Sequence, residues 1–283
     1  MKGFQIAIAS GKSGTGKTTV AAALALALSK RVAEAQFLDC DVEAPEAALF
    51  LKPAIERSAP IEVRAPVVEV DKCTGCGECQ AACQYNAIRV VAGKAEVSAE
   101  ACIACGGCKI VCPADAIRET GQRIGIVESG MAEKLIFRRA SLDPERPMGI
   151  QLIRGLKAAA RGDVPTVVDC GSGTTSEVIA TIRGSDYCIL VAEPTPFGLN
   201  DLKLMMAVVS EIGVPAGIIV NKDDSYSSGI EAYAEEMGIP ILTRIPFSRE
   251  IARLGALGVT LPESDTAWDQ SFWDMYEKIA RAV

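Results

Sequence analysis

One run near the start, Gly11-Lys12-Ser13-Gly14-Thr15-Gly16-Lys17-Thr18, constrains the fold of this chain more than any other feature. It satisfies G-x-x-x-x-G-K-S/T. Glycines in that pattern turn backbone N–H groups toward phosphate oxygens, and a helix starting there adds the partial positive charge of its N-terminus. The motif carries this meaning only between a strand and a helix, and both are predicted. Residues 4–10 are a short apolar run suited to a buried parallel strand, and residues 18–30 form a helix rich in Ala and Leu. Lys17 is then placed to reach the β- and γ-phosphates and Thr18 to hold Mg²⁺, with Thr19 continuing the binding turn. The apolar part of the helix, residues 20–29, is about half the roughly 20 residues a membrane span requires. It also follows a glycine loop rather than a basic leader, so it reads as a buried helix and not as a signal segment.

The same alternation resumes later. Four buried-strand candidates, residues 164–171, 186–195, 215–223 and 239–248, are interleaved with helical stretches at 200–212, 229–237 and 249–257. Strands alternating with helices imply an α/β fold, a mostly parallel sheet with helices on both faces. A second strand, residues 36–40, ends at Asp39 and Asp41. Asp169 closes the strand at 164–171, where a carboxylate can face bound metal and phosphate. Residues 125–142 contain two further strand-like pieces with no evident place in the sheet.

Between residues 63 and 122 the pattern changes. Eight of the eleven cysteines fall at Cys73, Cys76, Cys79 and Cys83, and at Cys102, Cys105, Cys108 and Cys112. Both runs read C-x₂-C-x₂-C-x₃-C, and the segments "CTGCGECQAACQYNAIR" and "CIACGGCKIVCPADAIR" align without gaps 29 positions apart. This is the spacing of bacterial two-cluster ferredoxins, in which the fourth ligand of each run serves the other cluster. One 4Fe–4S cluster is therefore expected on Cys73, Cys76, Cys79 and Cys112, and the other on Cys102, Cys105, Cys108 and Cys83. A pair of zinc sites is the alternative, but those are built from separated cysteine knuckles. Cys112 is followed by Pro113 as in ferredoxins, whereas Cys83 is followed by Gln84. Cys40, Cys170 and Cys188 read as small buried residues. The expected organisation is a P-loop α/β domain in two parts, 1–62 and 123–283, interrupted by a small α+β ferredoxin-like domain at 63–122.

Composition narrows the chemistry. There is no histidine, so carboxylates, lysines and thiolates must do the work. The formal charge of −7 argues against nucleic acid or an anionic membrane as the principal partner. An odd, clustered set of cysteines suits metal ligation in a reducing cytoplasm better than a disulfide scaffold. The last helix carries Trp268, Phe272, Trp273 and Tyr276, but it lacks the basic face of a membrane-surface helix and is expected to pack on the sheet.

Lys12, a lysine that a simple phosphate loop does not need, carries a resemblance. Lys12-Ser13-Gly14-Thr15-Gly16-Lys17-Thr18 is similar to the deviant Walker A loop, K-G-G-x-G-K-T, of the MinD, ParA and nitrogenase iron-protein superfamily. With the cysteine insert, the chain resembles MinD/Mrp-like P-loop ATPases that carry a two-cluster ferredoxin domain. The resemblance implies ATP as ligand and two subunits closing on it, with Lys12 crossing to the partner's phosphates. It also implies that Asp41 orients the attacking water and that Asp39 and Asp169 lie at Mg²⁺. Switch II would follow Asp169 at Gly171, without the prolines usual there. Asn221 would contact adenine, and Pro246 with Phe247 would wall the base unless Phe247 is core. Asn221-Lys222-Asp223-Asp224 also fits the N-K-x-D pattern of GTP-binding proteins; the Walker loop favours ATP. The implied activity is ATP hydrolysis coupled to electron transfer, or to assembly and delivery of iron–sulfur clusters. Implied partners are a second copy or a paralogous ATPase, together with an electron donor or acceptor or a cluster-receiving protein. A MinD-like positioning ATPase with a redox-sensing insert is the other reading.

Overall fold

The computed structural model describes residues 3–144, 146–224 and 229–283. The chain begins β1 (Gln5–Ser10), α1 (Lys17–Ser29), β2 (Ala35–Asp39) and α2 (Ala48–Leu51). It then runs out along β3 (Ala54–Val68) to a cysteine-rich unit made of α3 (Glu78–Ala82), β4 (Ile88–Val91), β5 (Lys94–Val97) and α4 (Gly107–Ile110). It returns along β6 (Ile117–Ala132) and turns into β7 (Leu135–Leu142). Alternation follows: α5 (Gly149–Ala158), β8 (Thr166–Ser172), α6 (Ser176–Ile182), β9 (Tyr187–Ala192), α7 (Pro196–Ile212) and β10 (Ala216–Asp223). The chain closes with α8 (Ile230–Met237), β11 (Ile241–Pro246), α9 (Arg249–Ala256), α10 (Leu261–Ser264) and α11 (Thr266–Ala282).

One sheet organises the molecule, in the order β11-β10-β9-β1-β8-β2-β7-β6-β3. The first seven strands in that order pair in parallel, and only the junctions of β7 with β6 and of β6 with β3 are antiparallel. Successive residues of β1 enter opposite layers: Ile6 and Ile8 pack with α1 and α11, Ala7 and Ala9 with α6 and α7. Helices thus cover both faces, as the alternating sequence implies. α11 buries Phe272, Met275 and Ile279 against the α1 layer, with Trp268, Trp273 and Tyr276 packed alongside. Among the described residues no helix is long and apolar enough to cross a membrane.

The two unplaced strand-like pieces at 125–142 are the second half of β6 and all of β7, joined as a hairpin. β3 is longer than the sequence suggests. Its first half is an exposed sheet edge bearing Glu56, Arg57 and Pro60, so no apolar pattern marks it; an edge strand also tolerates proline. β3 and β6 form one ladder from Ala54↔Met131 to Val68↔Ile117, running from the main sheet to the cysteine unit. The expected boundaries fall within it, at Glu62↔Arg123 and Val63↔Gln122.

Candidate functional site

The phosphate loop is held from below by the sheet and from the side by β10. Gly16 precedes α1 at φ +89°, a left-handed conformation suited to glycine, and no side chain caps the helix. The first-turn N–H groups of α1 are therefore left for a ligand. Residues 13–19 line an open cavity of about 840 Å³ together with Ser10, Asp41, Glu46, Phe50 and Ser172.

Lys17 lies at its floor with 5% of its side chain exposed. Its ammonium donates to Asp169 Oδ1 at 2.9 Å and stands 3.6 Å from Asp41 Oδ2. Burial works against the charge of Lys17, but the two carboxylates outweigh it and raise its pKa. Asp169 is wholly buried, and burial raises its pKa against the pull of Lys17; its Oδ2 has no hydrogen-bond partner among the described residues. Asp39 sits beside it with both oxygens occupied: Oδ1 accepts from Asp41 N–H at 3.3 Å and Oδ2 from Ala47 N–H at 3.1 Å. Its pKa is pushed well up by burial and by Asp169. In this arrangement Asp39 ties down the loop that presents Asp41.

Lys12 folds back onto its own chain. Its ammonium meets Glu193 Oε2 at 2.6 Å, while Lys222 takes Glu193 Oε1 at 2.6 Å and donates to the Gly14 carbonyl at 2.7 Å. Asn221 donates to the Thr15 carbonyl at 2.6 Å, and its amide nitrogen stands where a Cβ on Gly16 would be. Asn221 and Lys222 thus latch the loop backbone from β10. Asn221 also lines a second hollow of about 800 Å³ with Pro246, Phe247 and Ile251. Phe247 is 65% exposed at this hollow, so it is not a core residue. Glu193 was not singled out by the sequence, and Lys222 entered only through the Asn221-Lys222-Asp223-Asp224 pattern. Among the described residues, Glu193 directly follows β9, the neighbour of β1, and Lys222 lies near the end of β10, the next strand out.

The cysteine unit repeats in conformation as it does in sequence. Gly75 and Ala104 have φ of +67° and +55°, Gly77 and Gly106 +86° and +77°, and Asn86 and Asp115 +51° and +47°. Cys73, Cys76, Cys79 and Cys112 line one cavity of about 320 Å³. Cys83, Cys102, Cys105 and Cys108 line a second of about 410 Å³. Backbone N–H groups donate to sulfur in related positions: Ala87 to Cys83 and Ala116 to Cys112, each at 3.3 Å, and Ala95 to Cys73 and Ala104 to Cys102, each at 3.4 Å. The Ala95 N–H lowers the Cys73 pKa, whereas burial raises Cys79, Cys102 and Cys108. Among the described residues no three His, Cys, Asp or Glu side chains converge closely enough for a single metal ion. Cys40, Cys170 and Cys188 are buried in the large sheet, where burial pushes the Cys170 thiol up to about 12.

Known proteins align with this geometry. The model of the CobQ/CobB/MinD/ParA nucleotide binding domain matches residues 6–261. An uncharacterized protein of Methanocaldococcus jannaschii is 28% identical over 283 residues, 99% of this chain and 98% of its own. An uncharacterized ATP-binding protein of the same organism is 28% identical over 270 residues, 93% of this chain and 83% of its own. The 35.5 kDa chain of chlorophyllide reductase from Rhodobacter capsulatus is 34% identical over 83 residues, 29% of this chain and 24% of its own. Among solved structures, the cell division ATPase MinD of Pyrococcus furiosus has a TM-score of 0.58 at 20% identity, covering 99% of this chain and 100% of that one. A Cyanothece McdA–ATP complex has a TM-score of 0.60 at 20% identity, covering 99% and 97%. These two likenesses concern the fold.

Proposed function

This chain belongs to the CobQ/CobB/MinD/ParA nucleotide-binding family, and from that premise we propose that it is a Mg²⁺-dependent ATPase that gates electron transfer through two 4Fe–4S clusters. The observation that carries the proposal is the sorting of eight thiols into two cavities, each lined by three cysteines of one repeat and the last of the other. That is the exchange which two-cluster ferredoxins use.

On the nucleotide side, the α1 N-terminus and Lys17 receive the β- and γ-phosphates, displacing the contacts Lys17 now makes with Asp169 and Asp41. Mg²⁺ would be held by the Thr18 hydroxyl with the unpartnered Oδ2 of Asp169 behind it; when bound, it neutralises charge on the phosphate oxygens. Asp41, freed from Lys17, orients water toward the γ-phosphate. Lys12 leaves Glu193 and crosses to the phosphates of a second subunit, either another copy or a paralogue, where it stabilises charge on the transferring group.

On the cysteine side, the thiols and the N–H groups aimed at sulfur would hold the clusters, which act as one-electron carriers when bound. A full set of four thiols in each cavity suits resident clusters serving an electron donor and acceptor, rather than a labile cargo. The partial match to a reductase chain points the same way. Anaerobic iron, sulfide and EPR analysis, with and without ATP and Mg²⁺, tests the proposal. Two clusters whose potential or reduction rate responds to nucleotide are expected. Zinc in place of iron, or clusters indifferent to nucleotide, would overturn it, and transfer of iron to an apo acceptor would favour delivery instead.

A further inference from the structure

The two cysteine loops share sequence pattern and backbone dihedrals, yet they are fastened to different things. The first is closed from inside the unit. The Lys94 ammonium donates to the carbonyls of Val70 and Cys73, each at 2.8 Å, and the Gly93 carbonyl lies against Gly75. The second is fastened to the large sheet domain. Gln151, in the first turn of α5, donates to the Ile103 carbonyl at 2.9 Å, and Arg146 donates to the Ala99 carbonyl at 3.2 Å. Ala104 packs against the apolar cluster that contains Val42, Met148 and Leu152.

The sequence difference between the repeats follows this asymmetry. Thr74-Gly75 in the first loop is replaced by Ile103-Ala104 in the second. Ala104 keeps a left-handed φ of +55°, which an L-residue adopts at a cost glycine escapes. The methyl group that incurs this cost lies against the large domain. Val42 joins that contact to the nucleotide site. It follows Asp41, its carbonyl accepts from Leu142 N–H at 2.9 Å, and its Cγ2 lies 3.5 Å from where a Cβ on Gly149 would stand.

We propose that the second cysteine loop is the receiving end for nucleotide state. Gln151 and Ala104 act as positioning residues that clamp the Cys102–Cys105 segment to Val42, so ordering of the Asp41 loop reaches the cavity lined by Cys83, Cys102, Cys105 and Cys108 and leaves the other unchanged. The inference rests on the function proposed above for what the cavity holds, though not for the clamp itself. Hydrogen exchange on the full chain tests it, with and without a non-hydrolysable ATP analogue and Mg²⁺. Nucleotide is expected to slow exchange over residues 102–106 by about fivefold, equivalent to about 1 kcal/mol. Residues 73–77 should change by less than about 1.5-fold, since their fastenings lie within the unit. Gln151→Glu keeps the shape but turns an acceptor toward the Ile103 carbonyl, so it should abolish the response while leaving nucleotide affinity intact. Ala104→Gly, which only removes a methyl and relaxes the backbone, should weaken the response even if the first variant folds poorly. Equal slowing of both loops, no slowing, or a full response in the variants would overturn the clamp. Iron and sulfide measured on the same samples separate the two ideas. An asymmetric response in protein carrying zinc or no metal rejects the clusters and keeps the clamp, whereas two intact clusters with no response reject the clamp.

Discussion

The proposed function gives Lys12 and Lys17, five positions apart in the phosphate loop, different duties, and substitution should separate them. Lys12→Ala removes an ammonium that is paired with Glu193 in the isolated chain. Phosphate-release assays should therefore show kcat lowered by about 10²–10³-fold, the typical cost of losing a transition-state donor, while fluorescent-nucleotide titration shows little change in Kd. Asn221→Ala acts earlier, by releasing the Thr15 carbonyl. Losing a buried hydrogen bond worth about 1–1.5 kcal/mol should weaken ATP affinity by roughly five- to tenfold in the same titration. Thiol chemistry provides a third separation. At pH 8 in the folded protein, Cys40, Cys170 and Cys188 should resist iodoacetamide, because burial keeps them protonated and covered. Under the proposed function, stripping the clusters should expose the other eight to labelling, counted by mass spectrometry. At this scale the sequence marked out residues without recording what they touch. Asn221 was conspicuous beside Lys222, but its partner lies 206 positions away, a relation that no local pattern records.

Elements buried on both faces were the legible ones. β1, β2, β8, β9 and β10 are short apolar runs bounded by turns, because a parallel strand between two helix layers has no polar side to show. β3 and the outer half of β6 were obscured for the opposite reason: exposed on an edge ladder, they carry the charges and prolines that elsewhere mark loops. α11 was legible through its aromatic spacing, and its packing yields a stability prediction. Phe272 is fully buried against the α1 layer, so Phe272→Ala should cost about 3–5 kcal/mol in denaturant unfolding. Flotation with anionic vesicles, with or without ATP, should leave the native protein at the bottom of the gradient, since the apolar face of this helix is already covered.

For the whole molecule, the 29-residue repeat was plain in the sequence, but its mounting was not. A gapless alignment of cysteine runs says nothing about which copy leans on the neighbouring domain; only Ile103 and Ala104, apolar where Thr74 and Gly75 are not, hint at it. The ladder itself has a further consequence. The chain departs for the cysteine unit and comes back through facing residues, Ile61 and Gly125, so the intervening 63 positions form a detachable cartridge whose two leads emerge together. Joining those leads with a short turn leaves every parallel strand and the phosphate loop untouched, and insertions with adjacent ends are the kind that hosts tolerate. A chain shortened in this way should still bind ATP. The same socket offers a natural place to exchange one inserted unit for another.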